Sequence, residues 1–308
     1  MLLRNSVLII SILVSSAFAG CNTNEPDNED AQFICDGGNC VEDPNGSYSS
    51  LTDCENSCSG TLYSCSNGNC VVDTNGQFSS LSDCESSCTN NITVTPGAGV
   101  TDIDGNFYET VVYGNGQEWM ASNLKVTTRP DGTPIPDVTD ANDWSVEFGG
   151  AWAYYQNNPQ NIDQGILYNR PAAHGACPTG WSLPSNNEWS ELIEYLDPNA
   201  QDVTGASGTQ STVVGGMMKE AGVLHWASPN TGATNESGFT ALPTGRRFST
   251  GQFSSTNDLE AAWWSSTYMT NLNQPDHSYG RFVNHDDGRV RYGNMVKVEG
   301  HTVRCIKD

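Results

Sequence analysis

One amphipathic helix stands out in the pattern of apolar and polar positions along the chain. Its apolar residues fall at positions i, i+3, i+4 and i+7 of one helix face, namely Trp189, Leu192, Ile193 and Leu196. Ser185 precedes this run and Glu188 follows three residues later, which is the spacing of a capping box. The sequence therefore predicts a capped helix that begins just after Ser185 and buries one face in a core.

A hairpin is predicted at 101–113, where two short apolar stretches flank the turn Asp104-Gly105-Asn106. The polar residues of this turn also resemble a calcium loop. The glutamate that completes such a loop is missing downstream, so a hairpin turn explains them better.

The rest of this part of the chain gives weaker signals. A second helix is predicted within 211–221, although Gly215 and Gly216 each weaken a helix by about 1 kcal/mol relative to alanine. Segments 141–170 and 244–260 are rich in Asn, Gly and Thr and are predicted to be long loops. Because loops often carry function, these segments are candidate binding regions.

Residues 1–20 have the composition of an export signal, with Arg4, a short apolar run and small residues before Cys21. Two cleavage sites compete. Cleavage after Ala17-Phe18-Ala19 would leave a free thiol, whereas Phe18-Ala19-Gly20-Cys21 resembles a bacterial lipobox in which Phe18 replaces the usual Leu and Cys21 is acylated. The chain has 11 cysteines and ten fall into even groups, so the unpaired Cys21 favours the lipoprotein signal.

The charge balance excludes two classes of partner. The chain carries 36 Asp and Glu against 13 Lys and Arg, a formal net charge of −23. Nucleic acids and anionic membrane surfaces bind clustered cations, which the sequence lacks. Residues 21–33 form an acidic tether that resembles the tracts after the lipidated cysteine of surface-exported lipoproteins. We expect an outer-membrane, cell-surface lipoprotein of a Gram-negative bacterium, held to the membrane by the lipid on Cys21.

Two cysteine-rich repeats follow, at 34–59 and 60–89. Their cysteines share one spacing with an offset of 30 residues: Cys35, Cys40, Cys54 and Cys58, then Cys65, Cys70, Cys84 and Cys88. A unit of about 25 residues cannot bury enough apolar surface to fold alone, so two disulfides per repeat are expected. Two Cys₄ zinc sites are the rival explanation, which export and the absence of a Cys-x2-Cys knuckle disfavour. Spacing alone leaves three pairings open for each repeat.

The end of the second repeat, 78–88, resembles the terminal helix of Kunitz domains. By that resemblance the pairing is nested: Cys35–Cys58 around Cys40–Cys54, and Cys65–Cys88 around Cys70–Cys84. The inhibitory loop of that family has no counterpart in this sequence. We therefore expect the repeats to serve as a stiff stalk, followed by a linker at 90–100.

The remaining chain, 101–308, contains six ordered sequence blocks. They are Asp104-Gly105-Asn106, Gln117 to Leu124, Cys177 to Trp189, Asn230 to Pro243, Trp263 to Thr267 and Val303 to Asp308. Together these blocks resemble the Fibrobacter succinogenes major paralogous domain family. The resemblance implies an α+β domain of the C-type lectin-like fold, with two helices and long loops. It also implies an exported bacterial surface protein, and it leaves the biochemical role open.

Cys177 and Cys305 are the two cysteines of this domain, so we expect a disulfide between them. Formylglycine-generating enzymes share the broad fold, but their chemistry needs a reactive cysteine pair. The five histidines are scattered without metal-ligand spacing. We predict no catalytic residue and keep an enzyme of that fold as a third hypothesis.

A calcium site is suggested by Gln274-Pro275-Asp276, which matches the tripeptide that places oxygen ligands on calcium in C-type lectins. Polar residues also follow downstream at Asn284 and Asp287. The calcium ligands would be Gln274, Asp276, Asn284 and Asp286. The competing interpretation makes Asp286-Asp287-Gly288 an ordinary hairpin turn.

Three further residues are candidates for ligand binding. Trp263 and Trp264 are adjacent, so on a strand they face opposite sides. One is expected in the core, and the other, Trp264, is either covered by a loop or offers a stacking face to a sugar ring. Arg246 and Arg247 lie in a predicted loop and are candidates to pair with an anionic ligand.

From the sequence we expect a surface binding or adhesion module for a glycan or a surface protein, with calcium as the one cofactor to consider. The alternative is a structural component of the envelope or of an extracellular assembly, without a small ligand.

Overall fold

The computed structural model describes residues 32–36, 39–51, 54, 62–66, 69–73, 76–78, 81, 83–84, 92–269 and 274–308. The predicted export signal, Cys21 and most of the acidic tether lie outside the described residues. The chain divides into two compact units, Met1–Ser64 with Val72–Asp83 and Cys65–Val71 with Cys84–Asp308. We call residues 92–308 the head domain. No helix in the described part of the chain is long and apolar enough to cross a membrane.

Each cysteine-rich repeat contains a two-stranded sheet. Phe33–Asp36 (β1) pairs antiparallel with Asn39–Glu42 (β2) in the first repeat. Tyr63–Ser66 (β3) pairs with Asn69–Val72 (β4) in the second.

The repeats are cross-linked at equivalent positions. Disulfides join Cys40 to Cys54 and Cys70 to Cys84, with a sequence separation of 14 in each case. These four cysteines are therefore not available as zinc ligands. The other expected pairs, Cys35–Cys58 and Cys65–Cys88, involve Cys58 and Cys88, which lie outside the described residues.

The head domain is built from short strands, four helices and two 3₁₀ helices. Its first part contains Val94–Pro96 (β5), Val100–Thr101 (β6), Phe107–Tyr108 (β7), Thr110–Tyr113 (β8), Glu118–Met120 (β9), Ala141–Ser145 (α1), Trp152–Ala153 (β10), 3₁₀ helices at Tyr155–Asn157 and Pro159–Gln164, Leu167–Tyr168 (β11) and Arg170–Ala173 (α2). Its second part contains Trp181–Ser182 (β12), Asn186–Leu196 (α3), Gly208–Ser211 (β13), Val214–Met218 (α4), Glu260–Met269 (β14), Gln274–Asn284 (β15), Val290–Val296 (β16) and Ile306–Lys307 (β17).

Two larger sheets organise these elements. The first has five antiparallel strands in the order β12, β17, β9, β8 and β5. The second has four antiparallel strands in the order β13, β16, β15 and β14. Because β17 lies between β12 and β9, the last residues of the chain join a strand from the start of the domain. The head is an α+β domain in which sheets predominate.

Helix α3 confirms the prediction made from its apolar spacing. Ser185 Oγ accepts a hydrogen bond from the backbone N–H of Glu188 at 3.1 Å, and the Glu188 carboxylate accepts one from the Ser185 N–H at 2.7 Å. The four residues of the apolar face are buried: Trp189, Leu192, Ile193 and Leu196. The ring of Trp189 packs 4.7 Å from that of Trp119, which ties the helix to β9.

The second predicted helix is shorter than expected, since α4 spans five residues. Its glycines are required by close backbone contacts. A Cβ on Gly215 would lie 2.2 Å from the carbonyl oxygen of Arg289, and one on Gly216 would lie 2.3 Å from that of Gly232. A larger side chain at either position would therefore push the neighbouring backbone away.

The prediction of a long loop at 141–170 was wrong. This segment contains α1, β10, both 3₁₀ helices and β11, because its polar residues cap short helices instead of staying irregular. Asp140 and Asn158, for example, accept hydrogen bonds from the first turns of α1 and of the second 3₁₀ helix. Segment 244–259 is irregular, as expected, and ends where β14 begins.

The core of the head surrounds β14. Trp263 and Trp264 are both fully buried and belong to two different apolar clusters. Cys177 is bonded to Cys305, whose Cα lies 5.9 Å away, one residue before β17 begins. The disulfide therefore joins the segment before β12 to the last strand.

Candidate functional site

An open cleft of about 680 Å³ lies at one end of the β14–β15 pair. Glu260, the first residue of β14, is the cross-strand partner of Asn284, the last residue of β15. The other walls are the loop at 246–256 and the turn after β15. The lining residues are Arg246, Phe248, Phe253, Ser254, Ser255, Thr256, Leu259, Glu260, Asn284, His285 and Asp286.

The loop that carries Arg246 is closed by its own backbone. The N–H of Ser254 donates to the Arg246 carbonyl at 2.9 Å, and the Arg246 N–H donates to Ser254 Oγ at 3.1 Å. The N–H of Phe248 donates to the Gln252 carbonyl at 2.7 Å. These contacts hold the loop as a narrow hairpin and position the backbone of Arg246.

Arg246 faces a carboxylate across the cleft wall. Its Nε lies 3.0 Å from Glu260 Oε1 but makes no hydrogen bond to a described residue, so the contact is an ion pair. The guanidinium also lies over the Phe248 ring, 5.0 Å from its centroid. The side chains of Arg246 and Glu260 are 35% and 23% exposed, so both can reach a ligand in the cleft.

The opposite wall is fixed by a buried lysine. Lys219 Nζ donates to the backbone carbonyls of Thr231, Asn284 and Asp287 at 3.0, 2.9 and 2.9 Å. Burial lowers the pKa of Lys219 to about 8, even though the nearby Asp287 and Asp286 favour its charged form. The lysine holds the turn at 284–287 against the neighbouring loop, and Asp286 is left exposed at the rim.

Arg247 does not face the cleft, which corrects its assignment as a ligand-binding residue. It is fully buried and donates to the carbonyls of Val138, Thr139, Asp140 and Gly251. Its guanidinium lies 4.2 Å from the centroid of the Trp144 ring. Burial lowers the pKa of Arg247 to about 10, and its role is to join two loops.

Trp264 is also not exposed to a ligand. It is fully buried, and its indole N–H donates to the Tyr168 carbonyl at 2.7 Å. The edge of His301 packs 5.0 Å from its ring. The alternative of a sugar-stacking face is therefore wrong, because β14 is covered on both faces where Trp263 and Trp264 lie.

The structure also separates the residues of the suggested calcium site. Asp276 and Asn284 lie on the same strand, eight residues apart, which corresponds to about 26 Å in an extended chain. Gln274 lies beyond Asp276, at the first position of β15. One ion cannot bind Gln274 and Asp276 together with Asn284 and Asp286. Within the described ranges, no group of three or more His, Cys, Asp or Glu is placed to hold a metal.

Two of the predicted ligand-binding carboxylates, Asp276 and Asp287, have cationic partners instead. Asp276 pairs with Lys297. Asp287 pairs with Arg289 and Arg291. Although partial burial raises the pKa of Asp287, the hydrogen bonds from the two arginines prevail and lower it to about 2. Asp287 therefore stabilises its turn and does not line the cleft.

Of the predicted site residues, the structure brings together Arg246, Asn284 and Asp286. No sequence pattern pointed to Glu260, the first residue of β14, or to Phe248 as site residues. His285 appeared only as one of five scattered histidines; its Nδ1 lies 3.2 Å from the Ser228 carbonyl oxygen. The contribution of Phe248, Glu260 and His285 to the cleft becomes apparent only in the folded structure, where Glu260 pairs with Asn284 across the strands.

The fold and the cleft define a disulfide-bonded α+β head domain with an open polar site on its surface. The family model for the Fibrobacter succinogenes major domain matches residues 111–307. The chain belongs to that family, as the six sequence blocks predict. Searches of curated proteins and of solved structures gave no match.

Proposed function

We propose that this protein is a cell-surface lipoprotein, anchored by an acylated Cys21, whose head domain is a binding and adhesion module for carbohydrate. The observation that carries the proposal is the cleft at the end of β14 and β15. The C-type lectin-like fold is part of the proposal. It is supported by β17, which joins the end of the chain to the strands at the start of the domain.

The chemistry of the cleft suits a polyhydroxylated ligand. Sugar hydroxyls both donate and accept, so they need donors and acceptors side by side. The cleft supplies the Arg246 guanidinium, the Asn284 amide and the carboxylates of Glu260 and Asp286. Leu259, 40% exposed, offers an apolar surface beside them. Few polar groups on a partly apolar wall are the usual composition of a small-ligand site.

A glycan array with the full-length chain tests the binding function. We expect retention on a subset of glycans, unchanged by a calcium chelator because the lectin-type calcium ligands lie far apart. Asn284→Ala should weaken retention, whereas Asp276→Asn, at the far end of β15, should not. An array that stays blank for the wild-type chain would rule out carbohydrate as the ligand.

The anchor is tested separately in cells that express the chain. We expect labelled palmitate to enter the wild-type protein but not Cys21→Ser. Labelling that persists in the variant would refute the anchor while leaving the binding function open.

A further inference from the structure

We infer that the cleft selects neutral over anionic carbohydrate, and that Glu260 sets this selectivity by neutralising Arg246. The inference rests on the proposed function of the same cleft and goes beyond it, because it assigns the charge class of the ligand and the residue that determines it.

Arg246 is the cation of the cleft lining, so it is the group that an anionic sugar would seek. Glu260 already takes the place of such an anion, because its Oε1 lies 3.0 Å from Nε of Arg246. The position of Glu260 is fixed, because its backbone carbonyl accepts the N–H of Thr244 at 3.0 Å and its strand neighbour is Asn284. The Glu260 carboxylate therefore competes with any incoming anion for the Arg246 guanidinium.

A second carboxylate acts on the same cation. Glu299 is largely buried, which by itself raises its pKa, but contacts with His301 and Val296 and the positive charge of Arg246 lower that pKa below its ordinary value. Glu260 remains the carboxylate in direct contact with Arg246, and Glu299 adds a smaller contribution to the same field.

The remaining charge of the cleft is negative. Among the lining residues Arg246 and Glu260 cancel formally, which leaves Asp286, exposed at the rim; the cations that act on Asp286, Lys219 and Arg289, lie outside the lining. A uronate would have to displace Glu260 or lie beside Asp286, and both cost electrostatic energy. A neutral sugar meets neither obstacle and can still accept from Arg246 and donate to Glu260.

The selectivity can be measured by titration calorimetry on the purified full-length chain. The probes are gluco-, manno- and xylo-configured neutral hexasaccharides and hexagalacturonate, each at low and at high NaCl concentration. The variants are Glu260→Gln and Glu260→Ala, so that one substitution remains if the other does not fold. The double variant Arg246→Gln/Glu260→Gln tests whether a gain depends on Arg246. Asp276→Asn is the matched control, since it also removes one carboxylate from an ion pair, but far from the cleft.

We expect the wild-type chain to bind at least one neutral hexasaccharide more tightly than hexagalacturonate. Loss of the Glu260 charge should tighten hexagalacturonate binding about five-fold, the weight of one partly exposed ion pair. High salt should remove that gain, and the double variant and Asp276→Asn should not show it.

The outcomes separate the two proposals. A wild-type chain that binds none of these sugars and is retained on no glycan of the array refutes the carbohydrate function and the inference with it. Preference of the wild-type chain for hexagalacturonate overturns the inference alone, and so does an equal effect of Glu260→Gln and Asp276→Asn.

Discussion

The two adjacent arginines at 246 and 247 give a matched test of how the cleft is built. Both lie in the same loop, yet Arg247 is fully buried and Arg246 is partly exposed. We predict that Arg247→Met lowers the unfolding free energy of the head domain far more than Arg246→Met does, although the two substitutions remove the same charge. The difference should come from the hydrogen bonds that the two guanidinium groups make.

The magnitude follows from those contacts. Arg247 donates to four backbone carbonyls, and hydrogen bonds to a charged group are worth roughly 1.5–3 kcal/mol each. Burial of the guanidinium offsets much of this sum, but the substitution also leaves the carbonyls without donors. We expect a net loss of about 3 kcal/mol. Arg246 has an ion pair at a partly exposed site, worth less than about 1 kcal/mol.

Urea unfolding followed by tryptophan fluorescence measures both values. All eight tryptophans lie beyond Asn115, so the signal reports the head domain and not the cysteine-rich repeats. Amide exchange should also rise at 138–140 in Arg247→Met, because that loop loses its donor. Equal destabilisation by the two substitutions, or a loss below about 1 kcal/mol for Arg247→Met, would refute the reasoning.

Two further predictions concern the elements around the cleft. Gly215→Ala should destabilise the head by about 1–3 kcal/mol in urea unfolding, because its Cβ would lie 2.2 Å from the Arg289 carbonyl oxygen. Gly205→Ala, where a Cβ meets no atom within 4 Å, should be neutral, and equal effects would contradict this account. Burial lowers the pKa of Lys219 to about 8 from an ordinary 10.5, so the charged side chain costs the folded head stability below pH 8. This cost declines as the pH rises from 8 towards 10.5, because the folded head then releases a proton that the unfolded chain keeps. The unfolding free energy of the wild-type chain should therefore rise relative to that of Lys219→Met between these pH values; parallel curves would argue against a buried, charged lysine.

The sequence predicts those features that depend on local patterns. Helix α3 follows from apolar spacing and a capping box that lie within a dozen residues. The Cys177–Cys305 pair follows from there being one possible partner in the domain. Family membership follows from six short blocks in fixed order. In these cases the prediction rests on a local pattern, on the number of cysteines in the domain or on the order of short blocks along the chain.

The cleft could be predicted only in part, because its geometry depends on long-range contacts. Arg246 and Arg247 look alike in sequence, but Arg247 is directed inward by carbonyls more than 100 residues away in the chain. Glu260 meets Arg246 because an unpatterned loop folds back onto the start of β14. The suggested set of calcium ligands is separated for a similar reason. The tripeptide at 274–276 and the polar run that begins at Asn284 lie at opposite ends of one extended strand.

The buried cations of the head bear on the proposed charge selectivity of the cleft. Five cationic side chains in the described part of the chain are buried, and their hydrogen-bond partners there are neutral oxygen atoms: Arg170, Lys219, Arg247, Arg281 and Arg304. These cations use backbone carbonyls, hydroxyls and amides instead of carboxylates, so they stabilise loops without neutralising the acidic surface. A chain with a formal charge of −23 therefore presents its surface carboxylates with few cations to balance them. In that field an exposed arginine is the natural place for an anion to bind. Because Glu260 already pairs with Arg246, the proposed sugar ligand would meet a hydrogen-bond donor at this position and no free positive charge.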